Sequence, residues 1–203
     1  MCVGKCSRIV GPCLLALGTL SMAASILLLF PGGASKYLLE GHISRHALAV
    51  PGVWGGGIPV STVGHTRPPS RACGAGTEGW SRAFISTVLS KLAFLGAASC
   101  FILSGVGLTN GPLCFYNASE HSLGHGALWG YPFPDATYLY DRHTWSICLE
   151  PEGIVAWNVV LFSILLLASV AEMVLSFLQI INGCLGCLCG LCEGGGWDPR
   201  LMG

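Results

Sequence analysis

Long apolar runs separated by short polar stretches dominate the chain. Three windows, residues 9–30, 83–108 and 154–181, carry almost no charge. Each is long enough, as a helix, to span a hydrocarbon core of about 30 Å, which takes roughly 20 residues. They predict transmembrane helices. The first window continues through "LLLFPGG" without a small-x-small cleavage site, so it is expected to be retained and not removed as a signal peptide. Between the first two windows lies the ambiguous stretch "ALAVPGVWGGGIPVSTVG", residues 47–64. Nothing in it is charged, which permits burial. Pro51 and Pro59 each remove a backbone donor, however, and each glycine weakens a helix in water by about 1 kcal/mol. Membrane helices accept such residues where neighbours satisfy the freed carbonyls. A short, irregular second crossing and a surface or re-entrant loop both fit this pattern.

The distribution of basic residues narrows the topology. If residues 47–64 cross and the N-terminus is cytosolic, Lys5, Arg8, Arg67, Arg71, Arg82 and Arg200 lie inside, with Lys36, Arg45 and Arg142 outside. Three crossings with an outside N-terminus give the same tally, with Lys36 and Arg45 replacing Lys5 and Arg8 on the inside. Both arrangements place the large loop, residues 109–153, outside and the tail, residues 182–203, in the cytosol. In the four-crossing arrangement residues 1–8 and 65–82 are cytosolic and residues 31–46 form a small outer loop.

Composition agrees with this pattern. Charged residues are 10% and hydrophobic residues 52% of the 203 positions, and the mean hydropathy is +0.65, outside the range of an ordinary soluble domain. Ten basic and ten acidic side chains cancel without forming a basic cluster, which excludes nucleic acid as a partner. The predicted fold class is an all-α membrane protein: a four-helix transmembrane bundle with a disulfide-held large extracellular loop and a short or irregular second helix.

The large loop carries two cysteines, Cys114 and Cys148, on the side of the membrane where disulfides persist, so a bridge between them is expected. Its "NAS" sequence makes Asn117 an N-glycosylation acceptor. Aromatic residues are dense there, including Trp129, Tyr131, Tyr138, Tyr140 and Trp145. Such residues serve recognition patches, headgroup belts and small disulfide-held cores alike. His121, His125 and His143 lack a helical or turn register for a metal and read as solvated loop residues, as do His42 and His46. No cofactor is expected.

Cys2 and Cys6 open the chain, and "CLGCLCGLC" supplies Cys184, Cys187, Cys189 and Cys192 just after the last window. Four cysteines in nine residues can bind zinc as thiolates, but this spacing is tighter than two separate knuckles. Juxtamembrane thiols suit reversible palmitoylation better. Lys91 and Glu172 are the charges inside the apolar windows. At about 1.5 Å per residue they lie at matching depths, about 12 and 13 to 14 Å from the cytosolic ends of their helices. An ion pair between them is expected. The alternative has Lys91 snorkelling to the inner interface and Glu172 meeting a neutral partner.

The segments "MCVGKC", "GVWGGGI", "NGPLC", "GYPFPDATYLYDRHTWSICLEP", "VAWNVVLFSILL" and "QIINGCLG" together resemble the transmembrane 4 L6 family. The resemblance covers nearly the whole chain except residues 59–81, where the family's cysteine-rich inner loop is represented by Cys73. It implies four crossings, cytosolic termini and palmitoylated inner cysteines. It further implies a multi-pass plasma-membrane organiser, without enzymatic activity, that associates with integrins, tetraspanins or surface receptors and influences adhesion, migration or growth. Membrane lipid and a second copy of the chain are further expected partners. A small channel or transporter working through Lys91 and Glu172 is the competing class, motivated by the Gly- and Pro-broken segment. An enzyme would need a nucleophile with its base or a clustered metal site, and no such constellation is visible.

Overall fold

The computed structural model describes residues 3–58, 60, 77–117, 126–133 and 136–193. Three long helices form the frame: α1 (Val3–Leu28), α4 (Thr77–Asn110) and α5 (Ile154–Glu193). Two short helices, α2 (Lys36–Leu39) and α3 (Arg45–Leu48), lie between α1 and α4. Within the long helices the stretches Ile9–Leu28, Thr87–Asn110 and Ile154–Cys184 are long and apolar enough to cross a membrane. α4 and α5 are the most extensively packed pair, and α1 lies against α5.

These helices turn many of their small and polar residues inward, and Leu14, Leu28, Phe162 and Leu165 fill the space between them. On α1 the buried positions are Val10, Leu14, Ser21, Ser25 and Leu28; on α4 they are Ser90, Ala93, Ala97, Cys100 and Ser104. Steps of three, four and seven place each set on one helix face. Large apolar side chains such as Leu20, Leu95, Ile102, Leu167 and Phe177 point outward. That inversion suits a bilayer, where burying an apolar side chain between helices gains nothing over lipid and small residues let backbones approach.

The segment after α3 does run through the bundle, but not as a regular helix. Ser44 caps α3 by accepting the Ala47 N–H at 3.3 Å. Val50 then takes a positive φ of 44°, and Gly52–Gly57 form a π-helical turn. The Gly52 N–H finds the Ser25 hydroxyl of α1 at 2.8 Å. Ala47 is buried among Ala24, Leu28, Ile43 and Phe162, at the end of the bundle that carries the large loop. Val60 is buried with Val10, Leu14 and Ala93, toward the other end. At about 1.5 Å per residue the path from Ala47 to Val60 covers about 20 Å. Trp54 and Ile58 face outward, as lipid-facing residues would.

Glycine is required where this segment touches its neighbours. A Cβ on Gly55 would meet the Gly96 carbonyl at 2.8 Å and the Cys100 Cβ at 3.0 Å, and a Cβ on Gly52 would collide with the Ser21 carbonyl and the Ser25 hydroxyl. Helix α5 continues past residue 181, the end of the third apolar window, to Glu193, so the run from Cys184 to Cys192 extends the helix; no proline interrupts it. The large loop carries an antiparallel hairpin, β1 (Cys114–Asn117) with β2 (Ala127–Gly130), which the hydrophobic pattern did not announce.

The packing predicts unequal costs for added side chains. Gly55→Val should destabilise the purified protein by about 1 to 3 kcal/mol, the usual cost of overpacking. Gly105→Ala, where the added Cβ meets open space, should be neutral or slightly stabilising. Thermal unfolding in detergent checks both; equal midpoints for the two variants would contradict this packing.

Candidate functional site: the loop face and the polar interior

The large loop is seated on the bundle through its core. Strand β1 pairs with β2 in the register Cys114↔Gly130 and Phe115↔Trp129. On its other side Phe115 exchanges two backbone hydrogen bonds of 2.9 Å with Leu149 and Glu150. Cys114 and Cys148 are joined by a disulfide, with their Cα atoms 5.6 Å apart. Because Cys114 follows α4 closely and Cys148 precedes α5, the bridge ties the adjoining ends of these helices as well as the loop. Gly111, at φ 72°, turns the chain out of α4 and packs beneath Phe133.

Tyr138 is the centre of this loop core. Its side chain is fully buried with Cys114, Phe133, Ile154 and Val155. Its hydroxyl donates to the Leu108 carbonyl in the last turn of α4, and its own carbonyl accepts the Trp145 indole N–H at 2.8 Å. Burial pushes the Tyr138 phenol up to about 12. A tyrosine kept neutral in this way stabilises the fold fully below its ordinary value near 10, and that contribution is lost as pH rises toward about 12.

The short segment between α1 and α3 joins the same surface. His42 stacks on Trp129 with centroids 4.0 Å apart and planes 4° from parallel, and Tyr37 meets the Trp129 edge at 6.3 Å. The Arg45 N–H donates to the Tyr131 hydroxyl at 3.3 Å, His46 contacts Asn110 at 3.4 Å, and the Trp157 indole donates to the Leu27 carbonyl at 3.1 Å. His42 and His46, expected as solvated loop residues, thus take part in the contact between loops; their pairing with Trp129 and Asn110 is non-local and leaves no periodic signal. Beneath them is a cavity of about 20 Å³ lined by Leu28, His42, Ser44, Trp157 and Asn158, large enough for one water. Around this core the loop face exposes Tyr140, which is 92% accessible, and Leu39, 85% accessible, together with Leu128, Tyr131 and Ile147.

Several predicted site residues can now be placed. Asn117 is exposed at the end of β1. Cys184 is exposed on α5; Cys2 and the side chains of Cys6, Cys187, Cys189 and Cys192 lie outside the described residues, as do His121 and His125. The expected ion pair between Lys91 and Glu172 is not formed. Lys91 is exposed on the outer face of α4, whereas Glu172 is completely buried and accepts a hydrogen bond from the Ser21 hydroxyl of α1 at 2.8 Å. The residues share a depth but not an azimuth: α4 offers Ser90, Ala93 and Ala97 to the interior, which turns Lys91 away. Ser21 was missed by the sequence reading, although its place on the α1 stripe with Leu14, Ser25 and Leu28 was there to find. Among the described residues no three His, Cys, Asp or Glu side chains gather to hold a metal.

Two substitutions test the loop core. Tyr138→Phe removes one donor and should cost about 0.5 to 1.5 kcal/mol, with loss of the component that ionises near 12 in an ultraviolet pH titration. Cys114→Ser should cost about 3 to 4 kcal/mol in the chain-entropy model for a bridge spanning 34 residues, read as a lower unfolding midpoint under non-reducing conditions. A midpoint unmoved by Cys114→Ser would show that the bridge does not hold the loop.

Comparison with known proteins places this architecture. Transmembrane 4 L6 family member 1 of Homo sapiens is 41% identical over 201 residues, covering 95% of this chain and 96% of the relative. Member 19 of Mus musculus is 39% identical over 203 residues, with 95% of each chain covered, and member 4 of the same species is 40% identical over 201 residues, again with 95% of each covered. No solved structure matches the chain. The L6 membrane protein family profile matches residues 1–193, a range that takes in residues 59–81, which the quoted motifs left uncovered. The chain is a membrane protein and belongs to the L6 membrane protein family.

Proposed function

We propose that this chain is a non-enzymatic organiser of the plasma membrane, which gathers integrins, tetraspanins or surface receptors beside it and thereby influences adhesion, migration or growth signalling. In this reading both termini are cytosolic and the large loop is extracellular, bearing a glycan on Asn117. The inner cysteines, Cys2, Cys6, Cys184, Cys187, Cys189 and Cys192, carry palmitoyl chains. The carrying observation is the loop face: a disulfide-tied aromatic module locked to the ends of α4 and α5, with Tyr140 and Leu39 left exposed on its surface. Aromatic and aliphatic side chains held on a rigid support are what a recognition surface uses, because little conformational freedom remains to be lost on binding. The exposed thiol of Cys184, at the end of the last apolar span, supports acylation there. The competing channel or transporter reading required Lys91 and Glu172 to act together, and the two face different environments.

Mild-detergent co-purification from cells tests this reading. The wild-type chain should bring down an integrin or tetraspanin, and Tyr140→Ser, a surface change of about 0.5 kcal/mol or less in stability, should lower the yield several-fold at equal expression. Asn117→Gln should collapse the protein to a single faster-migrating band that no longer shifts with glycosidase. A wild-type chain that emerges alone in every detergent would contradict the organiser reading.

A further inference from the structure

Among the described residues the interior of the bundle carries one acid, Glu172, on a face of α5 that also presents Leu165, Ala168, Ser169 and Ser176. Its Oε1 accepts from Ser21 at 2.8 Å. Among the described residues its Oε2 has no partner, and neither has the hydroxyl of Ser176, four residues along the same helix face. Both side chains are completely buried, so these are oxygen atoms enclosed by protein and not turned toward a headgroup. An ionised carboxylate in such surroundings loses far more solvation than one hydroxyl donor returns.

Among the described residues of the neighbouring elements none supplies the missing charge. The inward face of α1 offers Ser21 and Ser25, the second segment offers glycines and Val60, and α4 offers Ser90, Ser104 and the thiol of Cys100. Lys91 points away. Among the described residues the ion pair present is His42 with Glu40, in the loop between α1 and α3.

We propose that Glu172, Ser176 and Ser21 form a monovalent-cation site inside the bundle, with the cation, a proton or Na⁺, seated on Glu172 Oε2. The donor chemistry makes the choice: all the ligands are hard oxygens, and a single carboxylate cannot assemble the six or more oxygens, several of them anionic, that Ca²⁺ takes from proteins. The consequence is mechanical. The Ser21–Glu172 bond ties α1 to α5, so the occupant of Oε2 sets how strongly Glu172 accepts that bond, and hence how tightly the two helices are held. The inference stands apart from partner recruitment and survives if that reading fails.

Infrared difference spectroscopy of the full chain in lipid nanodiscs tests it. Spectra are recorded at neutral pH in choline buffer and again after addition of NaCl or KCl, for wild type, Glu172→Gln, Ser21→Ala and Ser176→Ala. In choline, wild type should show the carbonyl band of a protonated carboxylic acid that is absent in Glu172→Gln and displaced in Ser21→Ala. With a proton as the physiological occupant the band persists in NaCl. With Na⁺ as the occupant it converts to a carboxylate band in NaCl but not in KCl, and Ser176→Ala requires several-fold more NaCl for the same conversion. The Na⁺ outcome is read on wild type itself, and the proton outcome is read on wild type by the loss of the same band as pH is raised, with Glu172→Asp as a second variant that displaces the band should Glu172→Gln fail to fold. A Glu172 signal that is carboxylate in every buffer, indifferent to pH and to Na⁺, overturns the proposal.

Discussion

The hydrogen bond from the Gly52 N–H to the Ser25 hydroxyl addresses the main constraint on this fold. In hydrocarbon no water is available for an unpaired backbone group, so irregular backbone survives at membrane depth only when protein surrounds it. The stretch from Ala47 to Val60 breaks helical regularity with Val50, Pro51 and a π-helical turn. It can do so because α1 and α4 enclose it closely, and α1 lends the Ser25 hydroxyl as an acceptor. Its glycines make that enclosure possible, since a side chain at Gly52 or Gly55 would push the neighbours away. The residues that weaken the segment as a helix are therefore the ones that allow it to be packed.

The ends of the bundle that carry the loop are tied by a second set of contacts. The disulfide joins the chain leaving α4 to the chain entering α5, Tyr138 reaches back to the last turn of α4, and Trp157 reaches across to α1. His42 stacked on Trp129 brings in the connection that follows α1. Every element emerging at this end is thus held by a bond to another. The loop core is apolar and its surface mixed, while the bundle below mixes serines, Glu172 and small residues with Leu14, Phe162 and Leu165 in its interior, beneath an apolar exterior. One chain meets two solvents with two burial patterns.

Much of this was legible in the residues. The three long helices follow from length and hydropathy alone, and the bridge from Cys114 to Cys148 follows from placing two thiols in one loop. Hydrophobic pattern could not decide the second crossing, because glycine and proline carry the same meaning in a loop as in an enclosed irregular segment; the difference lies in Ser25 and Gly96, which are distant in sequence. The pairing of Lys91 with Glu172 failed for a related reason. Depth is read by counting residues from a helix end, whereas facing depends on which stripe packs inward, and Ser90, Ala93 and Ala97 claim that stripe on α4. The hairpin escaped because its strands are four residues each and lack alternation strong enough to separate them from loop.

The central claim is that residues 47–60 pass through the bundle, so that the chain ends on the side from which it starts. The most direct measurement is antibody access to epitope tags on the N-terminus and the C-terminus, in intact and in permeabilised cells. Four passages predict that both tags stay hidden until permeabilisation. An N-terminal tag stained on intact cells while the C-terminal tag remains hidden would mean three passages, and would contradict the account of the second segment.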